Sequence, residues 1–262
     1  MIPFNKQIIF ATRPLRYAFD SFTYGRFADS VPLAALKDKQ KGEPMLVVGN
    51  GPSLNQTPLD DFAHVPSIGM NKIDMIYSRT KWRPEVVVCL NNMVAKQSQD
   101  SFACSEIPVF VAWKARWYLR AENRKKLRFF NTNLSNAFST DAVRGFGSSA
   151  TVTYIALQLA YWMGADPVIL FGVDHSFKYN GPEATYQKRE GPDTNHFDPN
   201  YFKAGTYWGT PDLDQSEIDY AIARQAFEAD GRKVYDATVG GKLEVFEKIG
   251  LDRASALTKN DL

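Results

Sequence analysis

"MLVVGNGPSLNQ", Met45 to Gln56, sets four apolar residues directly against Gly49, Asn50, Gly51, Pro52 and Ser53. A short, unbroken apolar run of this kind suits a strand buried on both faces, as in a parallel sheet. The small residues that end it leave backbone bare at the strand's carboxyl end. In an open parallel sheet that is where ligands bind. Runs of the same type recur at "PSIGMN", "EVVVCLN", "IPVFVAW", "RFFN", "PVILFGVD" and "KVYDAT". Helical segments separate several of them. In "SSATVTYIALQLAYWMGA", Ser148 or Ser149 is placed to cap the start and Gly164 to end the helix. Val152, Ile155, Ala156, Leu159 and Met163 form its core face. "DQSEIDYAIARQAFEADG" reads as a second helix ending at Gly231. The fold expected is α/β: Rossmann-like, a mostly parallel sheet flanked by helices, with one long lid-like loop.

Bulk properties bound the function. With 262 residues, 44% of them apolar, the chain can build one large α/β domain or two small ones. A net charge of +2 argues against a general nucleic-acid binder. Two cysteines, Cys89 and Cys104, make no framework for disulfides or zinc, which suggests a reducing compartment. No apolar stretch is long enough to span a bilayer, and "MIPFNKQIIF" is too polar and too short for a secretory signal. A cytoplasmic location is expected, with contact at the inner membrane surface left open.

Residues 1–43 differ from the rest. Arg13, Arg16 and Arg26 sit among Phe19, Phe22, Tyr24 and Phe27, and "LKDKQKGEP" follows as a charged linker. This segment reads as a helical arm. It either packs on the main domain or on a second subunit of a homo-oligomer, or it docks on a membrane surface or acceptor. The Rossmann-like domain then spans 44–262. Within it, 176–212 is aperiodic and rich in Gly, Pro, Asn and Tyr, as expected of a lid or binding loop.

Polar clusters fall at four expected strand ends: Asn50–Ser53, Asn71, Asn91–Asn92 and Asp174–His175. Gly49 and Gly51 would let main-chain amides approach a phosphate, with Asn50 and Ser53 adding side-chain groups. The stretch lacks the Lys of a P-loop and the spacing of a dinucleotide fingerprint, which disfavours both chemistries. "RGFGSSATV" is a second anion candidate, through Arg144, Gly147 and the Ser148–Ser149 helix start. No metal signature is found; Asp60–Asp61 and Asp212–Asp214 suit helix starts. His175 at a strand end and His196 in the lid are candidate general bases. Tyr179 and Tyr186 are placed to stabilise a departing phosphate.

"VVGNGPSL", "IGMNKID" and "RGFGSSATVTYIALQLAYWMGADPVILFGVDHSF" together resemble one bacterial superfamily. It joins the family-42 sialyltransferases, the motility-accessory-factor glycosyltransferases and the 6-hydroxymethylpterin pyrophosphokinase-like proteins. The resemblance runs from about Met45 to Lys248, and "DGRKVYDATVGGKLEVF" is closest to the pyrophosphokinase-like branch. It implies that Asn50, Ser53 and Asn71, with Asn91 or Asn92, hold the CMP part of a CMP-sugar. It implies that Arg144 contacts the donor or acceptor region, and that Tyr179 and Tyr186 assist the leaving phosphate. The family's inverting transfer uses a His base and no catalytic metal. Trp208 stands where that His would be wanted, which leaves His196 as the nearby substitute.

The function expected first is transfer from a nucleotide-activated, CMP-linked acidic sugar to a surface glycan or glycoprotein acceptor, without a cofactor. The alternatives are ATP- and Mg²⁺-dependent diphosphoryl transfer to 6-hydroxymethyl-dihydropterin, with Asp174 the one obvious metal ligand, and a nucleotide-binding module without turnover.

Overall fold

The computed structural model describes residues 4–259, with side chains from Thr12 onward. Ten strands form: β1 (Met45–Val48), β2 (Ser67–Met70), β3 (Val86–Cys89), β4 (Val109–Ala112), β5 (Arg128–Phe130), β6 (Val168–Phe171), β7 (Tyr186–Lys188), β8 (Tyr207–Gly209), β9 (Val234–Asp236) and β10 (Glu247–Lys248). Seven helices accompany them: α1 (Phe4–Phe27), α2 (Val31–Ala34), α3 (Asn92–Cys104), α4 (Ala121–Arg124), α5 (Val152–Trp162), α6 (Leu213–Ala229) and α7 (Leu251–Thr258).

Eight strands make one parallel sheet in the order β10-β9-β6-β1-β2-β3-β4-β5. All seven apolar runs named from the sequence are strands of it. The reason is visible in β1. Met45 and Val47 enter one core with α5 and α6, while Leu46 and Val48 enter the other with α3 and α7. All four residues are buried. With no solvent face the strand needs no polar alternation, and each buried side chain contributes about 1.5–3 kcal/mol.

The order has a functional consequence. From β1 the chain steps outward through β2 to β5, then returns to β6 on the other side of β1. The carboxyl ends of β1 and β6 therefore lie at the switch point of the strand order, where such folds form their crevice.

Two expectations need correction. The α5 cap is Thr151, whose side chain accepts from the Thr153 amide, and not Ser148 or Ser149. The segment 176–212 is not structureless. It contains the antiparallel pair β7–β8 and a buried wedge from Asp193 to Phe202. Phe197 N–H donates to Asn50 O (3.0 Å), Asn55 Nδ2 donates to Phe197 O (3.0 Å), and Lys72 Nζ donates to Tyr201 O (2.8 Å). Aromatic side chains there are core, with Phe197 and Tyr201 almost fully buried. Among the described side chains of the arm, Asp20, Ser21 and Thr23 meet this same chain. Arg116 pairs with Asp20 (2.7 Å), Trp113 Nε1 donates to Thr23 Oγ1 (2.9 Å) and Asn131 Nδ2 donates to Ser21 Oγ (2.9 Å).

Candidate functional site

A cavity of about 410 Å³ opens at the carboxyl ends of β1, β2, β3 and β6, well inside the range of roughly 300–1,000 Å³ typical of ligand sites. The asparagines expected there, Asn50, Asn71, Asn91 and Asn92, all line it. So do Gly49, Gly51, Ser149, Asp174, His175, Tyr186 and His196. Ser53, Arg144, Gly147, Ser148 and Tyr179 do not.

The glycines serve a different purpose from the one expected. Gly49 N–H donates to Phe171 O (2.7 Å) and Gly51 N–H to Gly172 O (2.9 Å), so neither amide is free for a phosphate. A Cβ on Gly49 would collide with Gly172 O, and one on Gly51 with the Asp174 carboxylate. Glycine is needed because the β1 and β6 loops are stitched together backbone to backbone. Ser53 completes the stitch from behind the wall. Its amide and hydroxyl donate to the two oxygens of Asp174 at 3.0 and 2.6 Å. Burial raises the Asp174 pKa against those two bonds.

The start of α5 is also occupied from within. Asp219, fully buried on α6, accepts from Ser149 Oγ (2.6 Å), Ala150 N–H (3.1 Å) and Gln215 Nε2 (3.0 Å). A carboxylate of the chain's own thus takes the anion's place at this helix N-terminus. Gly147 N–H donates to Gln158 Oε1 and Ser148 Oγ meets Tyr17 Oη at 3.0 Å. Arg144 is 87% exposed, pairs with Asp141 and does not reach the cavity.

Three of the cavity-lining asparagines carry a side-chain oxygen that is buried and without a partner. Asn50 Nδ2 donates to Met70 O (3.0 Å), which turns its Oδ1 away, buried and without a partner. The Oδ1 atoms of Asn71 and Asn92 are likewise buried and unpartnered. Asn91 spends its own oxygen capping α3, accepting from the Met93 and Val94 amides. Buried polar atoms rarely stay unmet in a finished structure. Asn71 and His175, at the ends of β2 and β6, both take left-handed backbone with φ of 51°, a departure that clusters at functional sites.

His196 lines the same cavity, with Asp193 behind it. His196 Nδ1 lies 2.9 Å from Asp193 Oδ2, and the imidazole stacks on Tyr201 at 4.0 Å with 1° between the planes. Burial pushes the Asp193 pKa up, but His196, the Asn195 amide and Arg189 outweigh it and hold the carboxyl below its usual range. An ionised Asp193 requires Nδ1 to donate, which leaves Nε2 as the basic nitrogen. His175 differs: its Nε2 meets Glu217 Oε1 at 2.9 Å. Tyr179 donates its hydroxyl to Glu183 (2.9 Å). Trp208 lines the cavity, packed beside Tyr179 and Phe202.

Two functional candidates went unread in the sequence. Asp193 was one; its signal was the i, i+3 spacing to His196 in "DTNH". The other is Lys114, just after β4, which lines the cavity and forms no ion pair among the described residues. Burial lowers its pKa, while Tyr17 and Asp20 act the other way and Arg13 adds to the lowering. No group of three His, Cys, Asp or Glu residues suited to a metal occurs among the described residues.

Comparison with known proteins adds the following. The family model for 6-hydroxymethylpterin diphosphokinase MptE-like proteins matches residues 25–180. That span carries β1 to β6 and Asp174, and stops before the Asp193–His196 pair. A solved structure described as MAf glycosyltransferase from Magnetospirillum magneticum AMB-1 aligns with a TM-score of 0.48 at 13% identity. The alignment covers 83% of this chain and 37% of that one, so this chain spans little more than a third of that protein's length. No curated protein matches the chain.

Proposed function

We propose that this chain, which belongs to the 6-hydroxymethylpterin diphosphokinase MptE-like family, is a transferase that moves a sugar from a nucleotide-activated donor, CMP-linked and acidic, to a hydroxyl acceptor on a glycan or glycoprotein. The observation that carries the reading is the Asp193–His196 pair facing an asparagine-lined cavity. A base held in one tautomer by a buried carboxylate is the arrangement that removes a hydroxyl proton. The acceptor O–H proton passes to His196 Nε2 as the acceptor oxygen bonds to the anomeric carbon from the face opposite the donor phosphate. The bond to the phosphate oxygen breaks, and the nucleoside monophosphate leaves with that electron pair. Lys114 and Tyr186 supply the charge and hydroxyl that meet it. The side chains of Asn71 and Asn92, which line the cavity, meet the nucleoside's amino group and ribose hydroxyls.

The family description favours a second reading, diphosphoryl transfer, which needs Mg²⁺ between carboxylates and a triphosphate. The donor set for that ion is sparse. Asp174 is a lone cavity carboxylate, and both of its oxygens already accept from Ser53. Thermal-shift titration with CMP, CDP, UDP, GDP and ATP, each with and without Mg²⁺, separates the two. Stabilisation by CMP without metal is expected. A rise confined to ATP with Mg²⁺ would overturn the glycosyl-transfer reading.

A further inference from the structure

Helix α1 is apolar on the side that faces away from the protein. Tyr17, Asp20, Thr23 and Tyr24 turn inward, to Ser148, Arg116, Trp113 and the Phe129 carbonyl. Leu15, Phe19, Phe22 and Arg26 follow at i, i+4, i+7 and i+11, which is one stripe of a helix. That stripe points outward, with Leu15 74%, Phe19 53% and Phe22 70% exposed. Beside it Trp117 is 66% exposed, on the far side of the Arg116 guanidinium that also holds Asp20. Isolated exposed apolar residues are ordinary, but a contiguous aromatic strip marks an interaction surface.

The charges decide what covers it. Arg13, Arg16 and Arg26 flank the strip, and the single carboxylate among residues 12–28, Asp20, is already held by Arg116. A second copy of the same face would set three arginines against three, with Asp29, just past the helix end, the one exposed acid beside them. An anionic surface would meet Arg16 and Arg26, while Arg13 lies over the Tyr17 ring. No helix of the described residues is long and apolar enough to cross a membrane, so the segment could only lie on one.

We infer that the outer face of α1, with Trp117 at its edge, binds the surface of an anionic lipid bilayer. Phe19, Phe22 and Leu15 enter the headgroup–acyl boundary, and Arg16 and Arg26 reach the lipid phosphates. The inner face of the same helix places Tyr17 beside Ser148 and Lys114, of which Lys114 lines the cavity. This inference is independent of the reaction proposed above.

Flotation of the full chain with vesicles tests it. Binding is expected to phosphatidylglycerol–phosphatidylcholine vesicles and not to pure phosphatidylcholine. Removing two arginines in R16Q/R26Q should weaken it on the order of 25-fold, at about fivefold per charge. F19S/F22S should weaken it at least tenfold (about) with little change in melting temperature, since both rings are exposed. No binding to anionic vesicles, or binding that neither variant alters, overturns the inference. So does a lipid-free dimer by light scattering that F19S/F22S dissolves, since a second copy would then cover the face. If either variant aggregates, the wild type still answers: brominated anionic lipid should quench tryptophan emission, and W117F should remove that quenching. Absence of quenching overturns the inference as firmly.

Discussion

Replacing Asp193 by Asn tests the proposed base without emptying space. Asp193 Oδ2 accepts from His196 Nδ1 at 2.9 Å, and Oδ1 accepts from the Asn195 amide at 2.8 Å. An Asn side chain keeps one acceptor. The Asn195 amide is a fixed donor and claims it, so the new NH₂ group faces His196. The imidazole must then present Nδ1 as acceptor, which puts the proton on Nε2 and removes the lone pair aimed into the cavity. General-base catalysis is worth roughly 10²–10⁴-fold, or about 2.7–5.5 kcal/mol of barrier at 1.36 kcal/mol per tenfold. D193N should therefore lose at least about a hundredfold in kcat. The cavity-lining asparagines are untouched and Asp193 itself does not line the cavity, so CMP affinity should stay within about twofold although the exchange removes one negative charge. The assay is single-turnover transfer from CMP-sugar, paired with CMP titration by thermal shift. A kcat within threefold (about) of wild type refutes the tautomer argument. Equal losses in binding and turnover would instead show that Asp193 only props the wedge.

Other consequences follow from the same geometry. K114M should weaken CMP by about tenfold or more while leaving cytidine unchanged, because only the phosphate meets the ammonium; isothermal titration of both ligands reads the difference. G51A should destabilise the fold by about 2 kcal/mol or more in urea titration, since its Cβ would collide with the Asp174 carboxylate. R144A should leave both affinity and turnover unchanged, because that guanidinium pairs outside the cavity with Asp141. Burial holds Lys72 at about 8, below its unfolded value of about 10.4. Between those values the unfolded chain binds more protons, so this group's contribution to stability is full above about 10.4 and is lost as pH falls to about 8. Wild type should gain stability relative to K72M as pH rises across that window in urea titrations.

The sheet was legible because its central strands are buried on both faces, and burial on both faces removes every polar residue from runs such as Met45–Val48 and Val168–Phe171. The strand-end asparagines were legible for the complementary reason: polar residues directly after such a run sit at the sheet's rim. Hydrogen-bond ownership was not legible. Nothing local to "GNGPS" says that its amides belong to Phe171 O and Gly172 O, some 120 residues away. Nothing in "RGFGSSATV" says that Asp219 on another helix fills its N-terminus. The wedge at Asp193–Phe202 escaped because its order comes from tertiary partners, chiefly Asn50, Lys72 and the Tyr201–His196 stack, and not from a repeating pattern.

Those ownership facts decide which chemistry the cavity suits. A phosphate-gripping loop presents unpaired amides to its ligand. Here the amides of Gly49, Gly51 and Ala150 and the hydroxyls of Ser53 and Ser149 are all spent inside the protein, on two carbonyls and two buried carboxylates. What remains along the cavity is the amide side chains of Asn71 and Asn92, which can donate as well as accept. The phosphate that a nucleotide carries is then left to Lys114, one cation for one phosphate. Under the proposed reading a nucleoside monophosphate ester matches that charge, whereas a triphosphate would bring several negative charges to one cation.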